Sequence, residues 1–289
     1  MEHIRSLLFV PGDSARKIAK AQDSAADALI LDLEDSVIPD KRPAARELCL
    51  STLQAGSAKK LFVRINALET KDALLDLAVV VRGRPYGIML PKCRSVQDLR
   101  TIDHYLKALE VRDGTELGAI RVLPIVTETG ASMFGTGSYQ EDTPRLTGLL
   151  WGGEDLAADI GAKANRDSSG RYAATYELAR SLCLLAATSA RATAVDAVYT
   201  DFRNLDGLRM EAETAARDGF TAKAAIHPDQ AALINEVFTP NTDEIARARR
   251  IVELFEGGEA TSVVALDGAM LDRPHLTMAK RLLSRACQR

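Results

Sequence analysis

The sequence predicts an α/β fold, a (β/α)8 TIM barrel followed by a C-terminal helical extension. Short β-rich runs alternate with longer helical patterns, which is typical of parallel strands joined by helical crossovers. Eight such runs are present, the number that closes this kind of barrel. No Gly-x-Gly-x-x-Gly or P-loop pattern follows any of them, which disfavours the open nucleotide-binding sheets.

The predicted barrel domain spans residues 1–237. Its strands are short apolar runs at residues 6–10, 28–33, 61–65, 87–90, 121–126, 148–151, 197–199 and 222–226. Helical patterns lie between and after them near residues 14–25, 41–54, 70–82, 95–109, 131–145, 173–190, 207–218 and 228–237, with Gly and Pro weakening the pattern at 131–145.

The remaining residues, 238–289, are predicted to form the extension, which would act as a lid. Asn241 caps an amphipathic helix that runs to about Phe255, and Gly257 and Gly258 end it. A short β-type run at 262–266 precedes a final helix. Because this segment is too small for an independent core, we expect it to pack on the barrel or on a neighbouring subunit.

Composition excludes several classes of protein. A net charge of −3 over 289 residues, without runs of like charge, disfavours a nucleic-acid partner. No apolar segment is long enough to predict a membrane span, and the N-terminus lacks a signal-peptide pattern. Four cysteines, Cys49, Cys93, Cys183 and Cys287, are scattered singly, which favours reduced buried thiols and a cytoplasmic location.

Polar side chains follow every predicted strand. Active sites of TIM barrels gather at this C-terminal face, on the loops after the strands. We therefore expect one polar site built from the whole mouth of the barrel. The side chains concerned are Asp13, Glu34, Asp35, Arg64, Asn66, Lys92, Glu128, Glu154, Asp155, Asp201, Arg203 and His227.

Two carboxylates predict a metal site at this mouth. The runs at 122–126 and 148–151 stop at Glu128 and at Asp155, so neighbouring strand ends each deliver one acid. Mg²⁺ takes few protein carboxylates and keeps water or substrate oxygens as its other ligands. Solvated loop acids are the alternative. Glu34, Asp35 and Glu154 would support metal-bound waters or cap the following loops.

Arg64 and Lys92 each have two interpretations. The guanidinium of Arg64 suits bidentate capture of a substrate carboxylate, or it forms an internal ion pair with a mouth acid. Lys92 could form a Schiff base, which requires a desolvated amine. The neighbouring carboxylates would instead raise the pKa of Lys92, so a Lys–carboxylate pair is the better interpretation.

Seven motifs follow one another along the chain: Ser6-Leu7-Leu8-Phe9-Val10-Pro11-Gly12, Leu31-Asp32-Leu33-Glu34-Asp35-Ser36-Val37, Val63-Arg64-Ile65-Asn66, Met89-Leu90-Pro91-Lys92, Gly152-Gly153-Glu154-Asp155-Leu156, Ala225-Ile226-His227-Pro228 and Met270-Leu271-Asp272. In this order they resemble the citrate lyase β-subunit-like family of the HpcH/HpaI aldolase superfamily. Ala222 and Ala269 depart from the family pattern. Stand-alone CoA-thioester lyases are the more similar subgroup, because the citrate lyase β subunit is characterised by Asn-Pro in place of His227-Pro228 and lacks the Gly-Gly-Glu-Asp run.

The resemblance also implies residue roles. Phe9, Ile226 and His227 match positions that line the ligand site of relatives, and Arg16 and Lys20 match positions that meet the phosphates of CoA, although by themselves they are surface cations. The resemblance assigns the acid/base role to Asp272, with Asp267 as a nearby competitor. In the family this acid closes over the active site of an adjacent subunit, which implies a homotrimer or a hexamer.

The predicted function is a Mg²⁺-dependent carbon–carbon lyase. Its substrate would be a short 3-hydroxyacyl-CoA such as citramalyl-CoA or malyl-CoA, and its products acetyl-CoA and a 2-oxo acid, glyoxylate or pyruvate. The alternatives are a citryl-carrier-protein lyase, a metal-dependent aldolase of free 2-keto acids, and a non-catalytic barrel subunit. Neither a nucleic acid nor a membrane is expected as a partner.

Overall fold

Eight short parallel strands form a ring in the first part of the chain. The structure is a computed structural model that describes residues 4–257 and 263–286. The described residues divide into two units, 4–235 and 236–286. The strands of the first unit are β1 (Ser6–Pro11), β2 (Ala28–Asp32), β3 (Lys60–Arg64), β4 (Gly87–Leu90), β5 (Arg121–Pro124), β6 (Gly148–Leu150), β7 (Thr193–Asp196) and β8 (Ala222–Ala225).

The strand order confirms the predicted TIM barrel. Hydrogen-bonded neighbours run β5-β4-β3-β2-β1-β8-β7-β6, all parallel. Parallel bridges from Val122 to Leu146 and from Ile125 to Leu150 join β5 to β6 and close the ring. The surrounding helices are α1 (Ala15–Gln22), α2 (Arg42–Ala55), α3 (Lys71–Val80), α4 (Val96–Arg112), α5 (Gly130–Gly135), α6 (Glu154–Asp159), α7 (Ala174–Ser189), α8 (Leu205–Asp218) and α9 (Pro228–Val237).

Side chains from every strand fill the barrel interior. Each strand contributes at least one apolar residue to a single buried cluster, so the barrel is packed rather than hollow. This packing leaves the C-terminal mouth as the place where polar side chains gather. The members include Leu7, Ile30, Phe62, Met89, Leu123, Leu150, Val195 and Ala224.

Seven predicted strands overlap the observed ones, and the seventh in chain order was predicted wrongly. The sequence predicts a strand at 197–199, whereas β7 is Thr193–Asp196. Asp196 is buried in this strand and accepts a hydrogen bond from Lys223 in β8 (2.6 Å). A charged residue that is satisfied inside the barrel breaks the apolar run from which the strand was predicted.

The helix predicted at 131–145 is much shorter in the structure. α5 ends at Gly135, and a single 3-10 turn, Thr136–Ser138, follows it. Gly137 and Pro144 within the predicted range disfavour a continuous helix. Conversely, α6 begins directly at Glu154, where the sequence analysis expected a loop.

The second unit consists of two helices and a hairpin. α10 (Thr242–Glu256) begins with a capping box between Asn241 and Glu244, as the Asn predicts. β9 (Val263–Leu266) pairs with β10 (Ala269–Asp272) in an antiparallel hairpin, and α11 (Arg273–Ala286) follows. β10 was not predicted. The unit has a small apolar cluster of its own, formed by Ala248, Ile251, Leu266, Leu271 and Ala279.

Two smaller expectations concern cysteines and membranes. Cys49, Cys93 and Cys183 are buried free thiols, whereas Cys287, Gly258 and Ser262 lie outside the described residues. None of the helices in the described part of the chain combines the length and the apolar character needed to cross a bilayer.

Candidate active site

A cavity of about 430 Å³ opens at the C-terminal ends of the strands, where the fold places active sites. Its walls come from the ends of β1, β2, β3, β5, β6, β7 and β8 and from the loops after them. The predicted site residues that line it are Phe9, Asp35, Arg64, Glu128, Glu154, Asp155 and Ile226.

Glu128 is a deeply buried acid of this cavity. It follows β5, is 3% exposed, and accepts a hydrogen bond from the backbone N–H of Lys92. Burial, reinforced by the nearby charge of Asp155, raises the pKa of Glu128 to about 8. The anionic form of this side chain therefore gains stability from a cation placed between the two carboxylates.

Gly152 leaves the space that Glu128 occupies. A Cβ at Gly152 would lie 2.7 Å from Glu128 Cγ, closer than real carbon atoms approach. The backbone N–H of Gly152 donates to Thr127 Oγ1 (3.1 Å), which ties the end of β6 to the end of β5. The first glycine of the Gly-Gly-Glu-Asp run is therefore required by the neighbouring carboxylate.

Asp155 and Glu154 lie in the first turn of α6 and have different partners. Asp155 Oδ1 is 3.1 Å from Lys92 Nζ. Glu154 Oε1 accepts a hydrogen bond from Asn165 Nδ2 (2.7 Å). Asp155 thus belongs to the charge cluster of the mouth, whereas Glu154 holds the loop after α6.

Lys92 connects three acids. Its Nζ donates to Glu34 Oε1 at 2.6 Å in addition to its contact with Asp155, and its N–H binds Glu128. Burial would lower the pKa of Lys92, but Glu34 and Asp155 together raise it above its usual value. The side chain is therefore an ammonium, which disfavours the Schiff-base alternative.

Arg64 forms an internal ion pair with acids of the mouth, which is the second of its two predicted roles. Its Nε and Nη2 donate to Asp32 at 2.6 and 2.7 Å, and Nη1 lies 3.0 Å from Glu34 Oε2 and 3.4 Å from Asp35 Oδ2. The guanidinium stacks over Phe9, 4.9 Å from the ring centroid. Nη1, which has the looser contacts, remains the part of the group that could meet a ligand.

Asp32 is a site residue that the sequence analysis missed. Besides Arg64 it binds the backbone N–H groups of Glu34 and Ser36, so it shapes the loop that carries Glu34 and Asp35. Burial would raise the pKa of Asp32, but Arg64 and these donors hold it below its usual value. The available signal was an acid inside a fully buried strand.

Seven residues make up what we call the mouth cluster. It contains five carboxylates and two cations, so it is short of positive charge. No group of three or more His, Cys, Asp or Glu side chains within residues 4–257 and 263–286 is arranged as a complete metal site. Two acids suffice for Mg²⁺ when substrate and water supply the other ligands. The members are Asp32, Glu34, Asp35, Arg64, Lys92, Glu128 and Asp155.

The other residues predicted after β8 and on α1 are less involved. Ile226 lines the cavity, and its N–H donates to Gln230. The His227 ring stacks on Phe202 at 4.9 Å, and its Nδ1 accepts from the backbone of the following turn. Arg16 and Lys20 are exposed on α1, outside the cavity lining described here.

Asp272 lies in the second unit, at the end of β10. Its Oδ1 is 2.6 Å from His275 Nδ1, and the side chain is about half exposed. The competing acid, Asp267, is held by Arg247 at 2.6 Å. The two carboxylates are equally exposed and each has a partner at 2.6 Å, so only the resemblance to the family motif favours Asp272 over Asp267.

Trp151 extends the cavity wall into the barrel interior. Its Nε1 donates to Asp196 Oδ1 at 2.7 Å, and Lys223 Nζ donates to the other oxygen of the same carboxylate. Tyr172 packs edge-on against the Trp151 ring at 4.9 Å and also lines the cavity. None of these residues was predicted to belong to the site, although Lys223 stands out as a charge within a predicted strand and Asp196 as a charge next to one.

Comparison with known proteins identifies relatives over nearly the whole chain. Residues 5–228 match the family model of HpcH/HpaI aldolase/citrate lyase. A (3S)-malyl-CoA thioesterase of Cereibacter sphaeroides is 34% identical over 288 residues, covering 98% of this chain and 94% of its own. The citrate lyase subunit beta of Escherichia coli K12 is also 34% identical, covering 98% of this chain and 93% of its own.

A solved structure has the same fold. The protein CitE from Mycobacterium tuberculosis, in complex with magnesium, acetoacetate and coenzyme A, superposes with a TM-score of 0.81 at 32% identity, over 99% of this chain and 100% of that one. The equal identities to a thioesterase and to a lyase subunit do not separate those subgroups. The chain belongs to the HpcH/HpaI aldolase/citrate lyase family.

Proposed function

We propose that the protein is a Mg²⁺-dependent carbon–carbon lyase acting on a short 3-hydroxyacyl-CoA such as malyl-CoA or citramalyl-CoA. The single observation that carries this proposal is the mouth cluster, where two carboxylates from adjacent strand ends meet in a cavity short of positive charge. The magnesium, acetoacetate and coenzyme A in the related structure support the choice of cation and of ligand class.

Glu128 and Asp155 would hold the cation, with substrate oxygens and water as its remaining ligands. When bound, the cation stabilises negative charge on the substrate oxygen, which favours retro-aldol cleavage. Glu34 would orient cation-bound water through Oε2, which lies 3.0 Å from Arg64 Nη1 but accepts no aligned hydrogen bond. Ile125, Leu150 and Trp151 supply apolar wall that excludes bulk water from the reacting atoms.

Arg64 would hold the carboxylate of the substrate through Nη1. Its two hydrogen bonds to Asp32 fix the plane of the guanidinium, so a ligand would replace only the contacts with Glu34 and Asp35. Phe9 packs against one face of the guanidinium. Arg16 and Lys20, exposed and one helical turn apart, would meet the phosphates of CoA.

Asp272 would complete the reaction as the acid. The substrate hydroxyl gives its proton to solvent water, and its oxygen becomes the carbonyl oxygen of the 2-oxo acid as the bond between the hydroxyl-bearing carbon and the carbon next to the thioester breaks. The electron pair of that bond forms the enolate of acetyl-CoA. A proton from Asp272 then goes to the terminal enolate carbon, and the 2-oxo acid, glyoxylate or pyruvate, leaves. We further propose that Asp272 comes from a neighbouring chain, with residues 238–289 as the lid of a homotrimer or hexamer.

A substrate panel with product identification tests the proposal. Malyl-CoA and citramalyl-CoA are expected to give acetyl-CoA with glyoxylate or pyruvate in Mg²⁺ and almost nothing in chelator. Asp272→Ala should slow cleavage by at least about a hundredfold, the usual value of a general acid, while Asp267→Ala leaves the rate near that of the parent.

The outcomes separate the alternatives. Free CoA with an intact hydroxy acid would indicate thioester hydrolysis, the activity for which the Cereibacter sphaeroides relatives are named. Turnover of free 2-keto acids alone would indicate a simple aldolase, and cleavage of a citryl carrier protein alone a citrate lyase subunit. Absence of any Mg²⁺-dependent turnover would refute a catalytic role.

A further inference from the structure

The side-chain ammonium and the backbone N–H of Lys92 both contact acids of the mouth cluster. The ammonium lies 2.6 Å from Glu34 Oε1 and 3.1 Å from Asp155 Oδ1, and the backbone N–H donates to Glu128. Three carboxylates from the ends of three different strands thus converge on one residue. A divalent cation bound by Glu128 and Asp155 would have to share Asp155 with this ammonium.

The backbone of Lys92 has an unusual conformation that directs its N–H at Glu128. Its φ is 51°, in the left-handed region that a residue other than glycine seldom adopts. This conformation directs the N–H of Lys92 at Glu128, and the next N–H, of Cys93, at the carbonyl of Ile125 (3.1 Å). The loop after β4 is thereby fastened to β5, and the lysine side chain is set toward Asp155.

We propose that Lys92 is a tethered counter-ion that shares Asp155 and Glu34 with the divalent cation and limits how tightly the site holds it. The inference rests on the cation site of the proposed function. Without a divalent cation, the ammonium keeps repelling carboxylates together; with the cation present, the two positive charges repel each other through a shared ligand. Lys92 is in this sense a positioning residue, which acts on the substrate through the cation.

Removing the charge of Lys92 should strengthen cation binding and lower the thermal stability of the cation-free protein. We would measure binding of Mn²⁺ and of Mg²⁺ to chelator-treated protein by titration calorimetry, and melting in chelator and in excess cation. Lys92→Met should lower the dissociation constant about tenfold, the order expected for a unit charge this close. It should also lower the melting temperature in chelator and enlarge the rise that the cation produces.

Three further variants separate charge from shape. Lys92→Gln keeps a hydrogen-bond donor but no charge, so it should tighten cation binding as Lys92→Met does, and it serves if the Met variant does not fold. Lys92→Arg keeps the charge and should stay within about twofold of the parent. Lys107→Met removes another lysine that is paired with an acid, Asp103, outside the mouth cluster, and should leave the dissociation constant unchanged.

The opposite results would overturn the proposal. Equal or weaker cation binding by both uncharged variants, with normal binding by the parent, would refute the counter-ion role while leaving the cation site intact. Failure of the parent protein to bind either cation would refute the site and the counter-ion together. Tighter binding by Lys92→Arg as well would show that shape rather than charge controls the affinity.

Discussion

Two charge clusters in the same barrel differ in their charge balance. The mouth cluster has five carboxylates against two cations. The second, which we call the wall cluster, has three of each and lies behind Trp151. Its members are Arg166, Arg180, Asp196, Glu211, Asp218 and Lys223. A balanced cluster satisfies itself and stabilises the fold, whereas an unbalanced one has an affinity for positive charge that a ligand can use.

The two clusters move the pKa of a buried carboxyl in opposite directions. Burial would raise the pKa of Asp196 in the wall cluster, but Lys223 and Arg180 outweigh it and hold that pKa below its usual value. For Glu128 in the mouth cluster, burial and the neighbouring Asp155 together raise the pKa to about 8. Burial is common to both acids, so the partner decides the direction.

The largest expected effect is on the wall cluster. Lys223 is fully buried and donates to Asp196 at 2.6 Å and to Glu211 at 2.9 Å. Lys223→Met leaves Asp196 with much less compensation, so we expect the free energy of unfolding to fall by about 3–5 kcal/mol. Urea denaturation measures this. Lys107, which is exposed and pairs with Asp103, gives the control: Asp103 keeps Arg145 as a partner, so Lys107→Met should cost less than about 1 kcal/mol. Similar losses in free energy of unfolding in Lys223→Met and Lys107→Met would show that the wall cluster does not stabilise the fold in the way proposed.

The matching change in the mouth cluster should harm function rather than stability. Glu128→Gln replaces a buried carboxyl whose ionised form the cation-free cluster disfavours, so unfolding in chelator should need no less urea than in the parent. Cation binding should be lost, and turnover of the preferred acyl-CoA should fall by about a hundredfold or more. Calorimetry and steady-state kinetics measure these effects. A large loss of stability in chelator would show that the mouth cluster, too, is built for stability.

The same contrast explains what the sequence could predict. Alternating runs identified seven strands, and the acids at strand ends identified Glu128 and Asp155 as neighbours, because parallel strands bring their carboxyl ends together. Asp32, Asp196 and Lys223 were missed since each lies inside a strand, where a charge argues against burial until its partner is known. Pairing between residues 27 positions apart, such as Asp196 and Lys223, is a property of the closed barrel and not of a local pattern.

A smaller effect is expected from filling the space beside Glu128. Gly152→Ala places a Cβ 2.7 Å from Glu128 Cγ, and the carboxylate must move. We expect the Mg²⁺ concentration for half-maximal activity to rise about tenfold, with a stability loss of about 1–3 kcal/mol. Gly130→Ala is the matched control, because its Cβ would meet nothing closer than 3.6 Å. Equal effects of the two substitutions would indicate a backbone rather than a steric cause.

The smallest expected effect concerns pH. The loss in free energy of unfolding caused by Lys223→Met, which we call the deficit, should change with pH. In the parent, the lowered pKa of Asp196 means that its stabilising contribution is complete above the unfolded value, about 3.9, and disappears as the pH falls through the lower folded value. In Lys223→Met, burial raises the pKa of Asp196, so the folded variant takes up a proton before the unfolded chain does and gains stability as the pH falls toward 4. The deficit measured by urea denaturation should therefore shrink by about 1–2 kcal/mol between pH 7 and pH 4. A deficit that stays constant over this range would mean that Arg180, 3.4 Å from Asp196, compensates the carboxylate alone, and that the balance of the wall cluster does not depend on Lys223.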